Sequence, residues 1–197
     1  MTVLAACLVF AGRMLAVEYD VMRTKAASVR QAGGLSGYQD VIDSNRPSEA
    51  LPPRSALFRG IMRAHAAAAE PGKAAALLRL ATADMGHALA ARPAWGEAEV
   101  SATYLAMLRD GPEAACTLDA LRRSYSAAPF LRGSAPWRIR YAASVWRLLD
   151  PAIRSRVVDE TVWLARATDH TYGYARGLVA QTPAAPLVDA RLRAGTD

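Results

Sequence analysis

Lysine is almost missing from this chain of 197 residues: Lys25 and Lys73 stand alone, and 22 of the 24 basic residues are arginine. No run of β-branched and aromatic residues alternates with period two, so a sheet is not expected. Cysteine occurs twice, at Cys7 and Cys116, with no C-x-x-C and no metal-ligand spacing, and both read as buried free thiols. None of the three histidines, His65, His87 and His170, stands three or four residues from another histidine, a cysteine or a carboxylate pair suited to zinc. His65 falls on an apolar helical stripe and reads as a core or boundary residue. His170 has Asp169 beside it, and adjacent residues are badly placed to act as a catalytic pair. No G-x-S-x-G, P-loop or G-x-G-x-x-G is present, and no strand precedes Gly33-Gly34-Leu35-Ser36-Gly37 to make it a phosphate cradle. No catalytic residue, metal or cofactor is therefore assigned, and the chain is not expected to be an enzyme; an enzyme whose motif is not recognised is the alternative.

What is abundant favours helices. Hydrophobic residues make up 52% of the chain and charged ones 21%, enough for a packed core, and alanine, leucine and arginine are strong helix formers. The expected fold is all-α, a short array of antiparallel helical hairpins after a long N-terminal helix. Gly33-Gly34 ends that helix, giving residues 1–32 as the first segment and the Gly/Pro-rich 33–53 as a linker. Hairpins then fill 54–182. Stripes such as Leu57, Phe58, Ile61, Met62 and His65, or Trp137, Tyr141, Val145 and Leu148, recur between breaks at Pro71, Pro93, Gly111-Pro112 and Pro129. Pro112 is expected at the first position of a helix over 113–126. Trp137–Leu149 reads as one helix, and Asp150 as the N-cap of the next, with Pro151 at its first position. Pro183 and Pro186 lead into a frayed tail, 183–197.

The N-terminus suggests a membrane anchor. Met1–Gly12 carries no charged side chain, and residues 1–17 are apolar around the whole circumference except at Arg13. Twelve helical residues span only ~18 Å and seventeen ~26 Å, against a hydrocarbon core of ~30 Å. No basic n-region precedes the stretch, and Leu4-Ala5-Ala6-Cys7 has too little apolar sequence before it for a lipobox. The alternative is an ordinary buried helix. Arg23, Lys25 and Arg30 come directly after the apolar stretch, which argues against a periplasmic location for the chain on that side.

Charge is concentrated in one place. Residues 121–156 carry Arg122, Arg123, Arg132, Arg138, Arg140, Arg147, Arg154 and Arg156 against Asp150 alone, a net +7 in a chain whose total is +6. Arg140 and Arg147, seven apart, would share a helical face. With Trp137 and Tyr141 interleaved, Arg122, Arg123, Arg132, Arg138, Arg140 and Arg147 form the candidate binding set. Arginine's planar fork suits carboxylate and phosphate, and the rings suit stacking on sugars or bases. A solvated face over core aromatics is the competing reading, and nucleic acid is the alternative partner.

Two resemblances sharpen this. His87–Pro93 and Arg123–Pro129 close two helices 36 residues apart. The unit between them, with Trp95, Ala102, Tyr104, Ala114-Ala115 and Pro129 in order, resembles a degenerate tetratricopeptide repeat, although the glycine expected in its first helix is missing. Such repeats bind a peptide or a partner helix. The C-terminal part, with Arg122–Tyr125, Ala128-Pro129, Trp137–Trp146, Leu149–Pro151 and Trp163–Arg166, resembles small repeat-containing proteins encoded with bacterial exopolysaccharide or O-antigen systems. That resemblance implies a non-enzymatic accessory role at the cell envelope, with a protein partner, an anionic polysaccharide nearby, and an anchor in the inner membrane with the body on the periplasmic side. A cytoplasmic location is the alternative.

Overall fold

The computed structural model describes residues 2–194, with side chains given from Ala6 onward and that of Asp169 excepted; the expectations touching Met1 and 195–197 fall outside the described residues. Among the described residues ten α-helices follow one another: α1 Thr2–Ala32, α2 Gln39–Ile42, α3 Pro53–Ala69, α4 Ala74–Ala91, α5 Gly96–Asp110, α6 Ala115–Ala127, α7 Ala135–Ser144, α8 Pro151–Arg166, α9 Asp169–Val179 and α10 Ala185–Arg193. No strand occurs among the described residues, so the class is all-α as the composition implied. The chain divides into two compact units, Met1–Pro93 and Ala94–Asp197. The boundary thus falls inside the stretch expected to be one hairpin domain.

In the first unit α3 and α4 form a hairpin, and the stripe on α3 differs from the one expected. Phe58 and Ile61 are half-buried and His65 is exposed, whereas Arg59 and Arg63 face inward with Leu57 and Met62. The reason is Asp84 of α4, which is fully buried. It accepts from Arg59 Nε at 3.0 Å, from Arg63 Nη1 at 2.7 Å and from Ser48 Oγ at 2.7 Å. Gly60 lets the helices close on this carboxylate, since a Cβ there would stand 3.2 Å from that of Asp84.

The same arginines hold the segment expected to be a linker. Arg59 Nη1 donates to the carbonyl of Arg46 at 2.8 Å, and Arg63 donates to those of Ile42 and Ser44 at 3.1 and 2.7 Å. Residues 33–53 are therefore not a tether. They contain α2 and a 3-10 turn, Ser48–Ala50, and they bury Val41, Ile42 and Ser48.

Helix α1 has two parts. Its C-terminal part belongs to this unit: Thr24 and Ala27 are buried, and Gln31 Nε2 donates to the carbonyl of Met62 at 2.9 Å. From Ala6 to Tyr19 every side chain is exposed. Leu8, Phe10 and Leu15 are 67%, 67% and 71% exposed. Cys7 is exposed as well, as is Cys116, so neither is the buried thiol expected.

In the second unit α5 and α6 pair, and α7 to α10 complete a core around Leu121, Tyr125, Ile139, Val157, Val179 and Val188. Asp150 caps α8 as expected, its carboxylate accepting from the Ile153 amide at 2.9 Å with Pro151 at the first turn. Three expectations change. Pro112 lies outside α6, which begins at Ala115 after a turn at Gly111 with φ 97°. The helix from Trp137 does not reach Leu149: α7 stops at Ser144, and a 3-10 turn follows at Trp146–Leu148. Residues 183–194 are not a frayed tail, because α10 packs Val188 and Leu192 into the core.

Truncation separates the two parts of α1. Removal of residues 1–16 takes away no buried side chain among the described residues and should leave the melting temperature unchanged. Removal of 1–32 strips Thr24, Ala27 and Gln31 and should lower it by several degrees. Calorimetry of the two truncations decides, and equal melting would show that α1 contributes nothing to the unit. Asp84→Asn leaves two buried guanidinium groups without a counter-ion and should cost ~3–5 kcal/mol in urea unfolding.

Candidate binding face of the arginine-rich segment

The candidate residues fall into three groups when placed on α6, α7 and the turns around them. Arg138 is one of the least accessible side chains in the unit, at 0% exposure, and so is not a binding residue. Its Nε donates to Glu160 at 3.0 Å, its Nη2 bonds the other oxygen of the same carboxylate, and its guanidinium lies 4.1 Å above the Tyr125 ring. The remaining N–H groups bond the carbonyls of Ser124 and Ala128 at 2.9 Å each and Pro129 at 3.1 Å. Glu160 in turn accepts from the Leu131 amide at 3.3 Å. Arg138 thus fixes the loop after α6, and charge counting could not separate it from a surface arginine.

Arg122 and Arg123 are exposed to different degrees but paired. Arg122 bonds Asp119 and, at 2.9 Å, Asp150, while Arg123 stands 3.5 Å from Glu99. The Ile153 amide and then Arg122 hold the Asp150 carboxyl below the usual carboxylate range. Arg132, Arg140 and Arg147 are exposed and have no counter-ion among the described residues. The break in α7 at Val145 means that Arg140 and Arg147 do not share one continuous α-helical face.

The aromatic residues form a packed stack. Trp137 is half-buried, with Tyr141 stacked on it at 5.4 Å and Tyr104 edge-on at 5.6 Å. Tyr141 is buried, donates to the Pro112 carbonyl at 2.6 Å, and burial pushes its phenol up to about 12. Trp137 is the one ring of the expected pair that retains an accessible surface; Tyr141 is not a ligand platform, because its hydroxyl is tied to the α5–α6 turn.

Two open clefts adjoin this segment. One, of about 410 Å³, includes Glu113, Ser144, Arg147, Leu148 and Gln181 in its lining. The other, of about 520 Å³, lies between α8 and α10. The second was invisible in the sequence because α10 was read as tail. No group of histidine, cysteine and carboxylate side chains suited to a metal ion occurs among the described residues, and the side chain of Asp169, next to His170, lies outside them.

No family model, curated protein or solved structure matches this chain.

Glu160→Gln should cost ~3–5 kcal/mol in chemical denaturation, since it leaves the Arg138 guanidinium buried without its counter-ion. The double variant Arg138→Met, Glu160→Leu should recover only part of that loss, because the Ser124, Ala128 and Pro129 carbonyls and the Leu131 amide lose their partners too. Full recovery would show that the pair does not hold the loop.

Alkaline titration gives a separate test. Tyr141 keeps its proton to a higher pH folded than unfolded, so stability is fully present below about pH 10 and is lost as pH rises through 12. Absorbance at the phenolate band should therefore show Tyr141 ionising together with unfolding. Tyr141→Phe should remove the Tyr141 share of that alkaline loss; an unchanged alkaline midpoint would assign it elsewhere.

Proposed function

We propose that the protein is a non-catalytic interaction module of tetratricopeptide-like helical hairpins, attached to a membrane surface through the apolar part of α1 and accessory to a cell-envelope polysaccharide system. The observation that carries this is the exposed shaft from Ala6 to Tyr19. Contiguous apolar surface on a folded chain marks a place where another apolar phase or partner sits. A two-helix contact would need one stripe, whereas Leu8, Val9, Phe10, Met14, Leu15 and Val17 point in all directions and favour a surrounding lipid phase.

No described helix is long and apolar enough to cross a membrane; residues 6–19 rise ~21 Å, which would take the shaft part-way into a hydrocarbon core of ~30 Å. Arg13 can extend its charged end to the headgroups while its stem stays among apolar neighbours. The resemblance of the C-terminal part to envelope-polysaccharide proteins supports the inner membrane as the surface and the periplasmic side for the body; Arg23, Lys25 and Arg30 favour the cytoplasmic side instead. The hairpin units would then hold a protein partner.

Flotation with phosphatidylglycerol-containing vesicles tests the attachment. The double variant Phe10→Asp, Leu15→Asp changes exposed positions only, and loss of two apolar insertions of roughly 1.5 kcal/mol each should weaken partition about a hundredfold. Equal flotation of the two proteins sinks the reading. Failure of both to float, together with steeply salt-dependent binding of duplex DNA, would favour a nucleic-acid partner for Arg132, Arg140, Arg147 and Arg156.

A further inference from the structure

Helix α10 uses two adjoining strips. Val188 and Leu192 are buried in the core of its unit. Leu187, Ala190 and Ala194 form the second strip, which lines the 520 Å³ groove together with Pro151, Ser155 and Val158 of α8. On both helices the lining positions recur every three or four residues, so each strip follows its own helix axis. Two such strips frame a channel for a third rod. Ser155, Ala190 and Ala194 are short enough to let another backbone come close, and Leu187 offers an unpaired apolar side chain, 49% exposed.

Charge around the groove has one sign in excess. Arg154 and Arg191 are the charged residues in the lining. Arg191 stands 3.2 Å from Asp159, but Arg154 has no carboxylate partner among the described residues. Its Nε and Nη2 donate to the carbonyls of Trp146 and Arg147 at 3.1 Å each, which fixes the guanidinium without neutralising it. A preoriented, uncompensated guanidinium beside an apolar trough is complementary to a carboxylate carried next to an apolar ridge.

We propose that the α8–α10 groove is the docking site for an amphipathic helix of a partner protein, with its apolar ridge in the trough and acidic residues flanking that ridge toward Arg154. The proposal rests on the interaction-module reading and names the surface and partner chemistry within it. From Pro151 to Val158 the strip rises ~10 Å, so the occupant engages it over about two turns, through apolar anchors spaced i, i+3 or i+4, and i+7.

Two synthetic helices of about 15 residues, lactam-stapled, serve as probes on the full chain. Both carry leucine at those anchor positions; one has glutamate on the flanks, the other lysine. In fluorescence anisotropy the glutamate helix should bind at least about tenfold tighter than the lysine helix, with the preference shrinking as salt rises. Ala190→Trp fills the trough from an exposed position and should weaken the glutamate helix at least about tenfold with an unchanged melting curve. Leu187→Glu, also at an exposed position, places a carboxylate against the flanks, should weaken it likewise, and supplies the test if the tryptophan variant does not fold.

Equal binding of the two helices overturns the proposal, as does unchanged binding in the variant that folds. Preferential saturable binding of decanoate also overturns it, since the groove would then be an acyl site. So does self-association that Ala190→Trp abolishes, because the occupant would be a second copy. Vesicle flotation of the unaltered chain separates the two readings: flotation without helix binding overturns the groove alone, and helix binding without flotation overturns the membrane attachment alone.

Discussion

Each unit depends on a buried arginine–carboxylate cluster that also binds the carbonyls of an irregular segment. In the first, Asp84 gathers Arg59 and Arg63, and these reach the backbone at Ile42, Ser44 and Arg46. In the second, Glu160 holds Arg138, which reaches Ser124, Ala128 and Pro129. Desolvating a guanidinium is costly, and the bidentate geometry together with nearly complete hydrogen bonding offsets that cost. The result is that stretches rich in glycine and proline, with few apolar side chains of their own, are positioned as firmly as helices.

This arrangement decides what remains on the surface. The arginines that build the units are withdrawn from solvent, and others are matched by nearby acids, as Arg122 is by Asp119 and Asp150. The charge available to a partner is therefore smaller than the composition indicates; within the arginine-rich segment it sits at Arg132, Arg140, Arg147, Arg154 and Arg156. Two apolar surfaces are exposed as well, the α1 shaft in the first unit and the α8–α10 groove in the second. They differ in kind: the shaft is apolar on all sides, and the groove is a trough with a cationic rim. One suits a surrounding lipid phase and the other a single complementary rod, which is how a small helical protein could hold a partner at a membrane surface.

Much of the fold was legible from local chemistry. Helix limits followed Gly33-Gly34, Pro93, Pro129 and the Asp150-Pro151 cap, because those residues act through their own backbone dihedrals and the nearest amides, which any tertiary setting preserves. The all-α class followed from the same level.

The candidate site was legible only in outline, because it turns on pairings between residues far apart in sequence. Arg138 and Glu160 are 22 positions apart, Arg59 and Asp84 are 25 apart, and neither member alone shows whether it faces water or the core. An arginine's helical position marks it as polar, yet a buried carboxylate opposite reverses its side. The same dependence hid α10: Val188 and Leu192 form a short stripe after two prolines, too weak to mark a helix until α8 and α9 supply a surface to bury it against. The sequence by itself determined where helices start and stop and that the chain carries a basic surplus. Only the tertiary structure decided which charges are spent inside, that residues 33–53 are held rather than loose, and that a groove exists, because burial and charge neutralisation are properties of pairs brought together by folding.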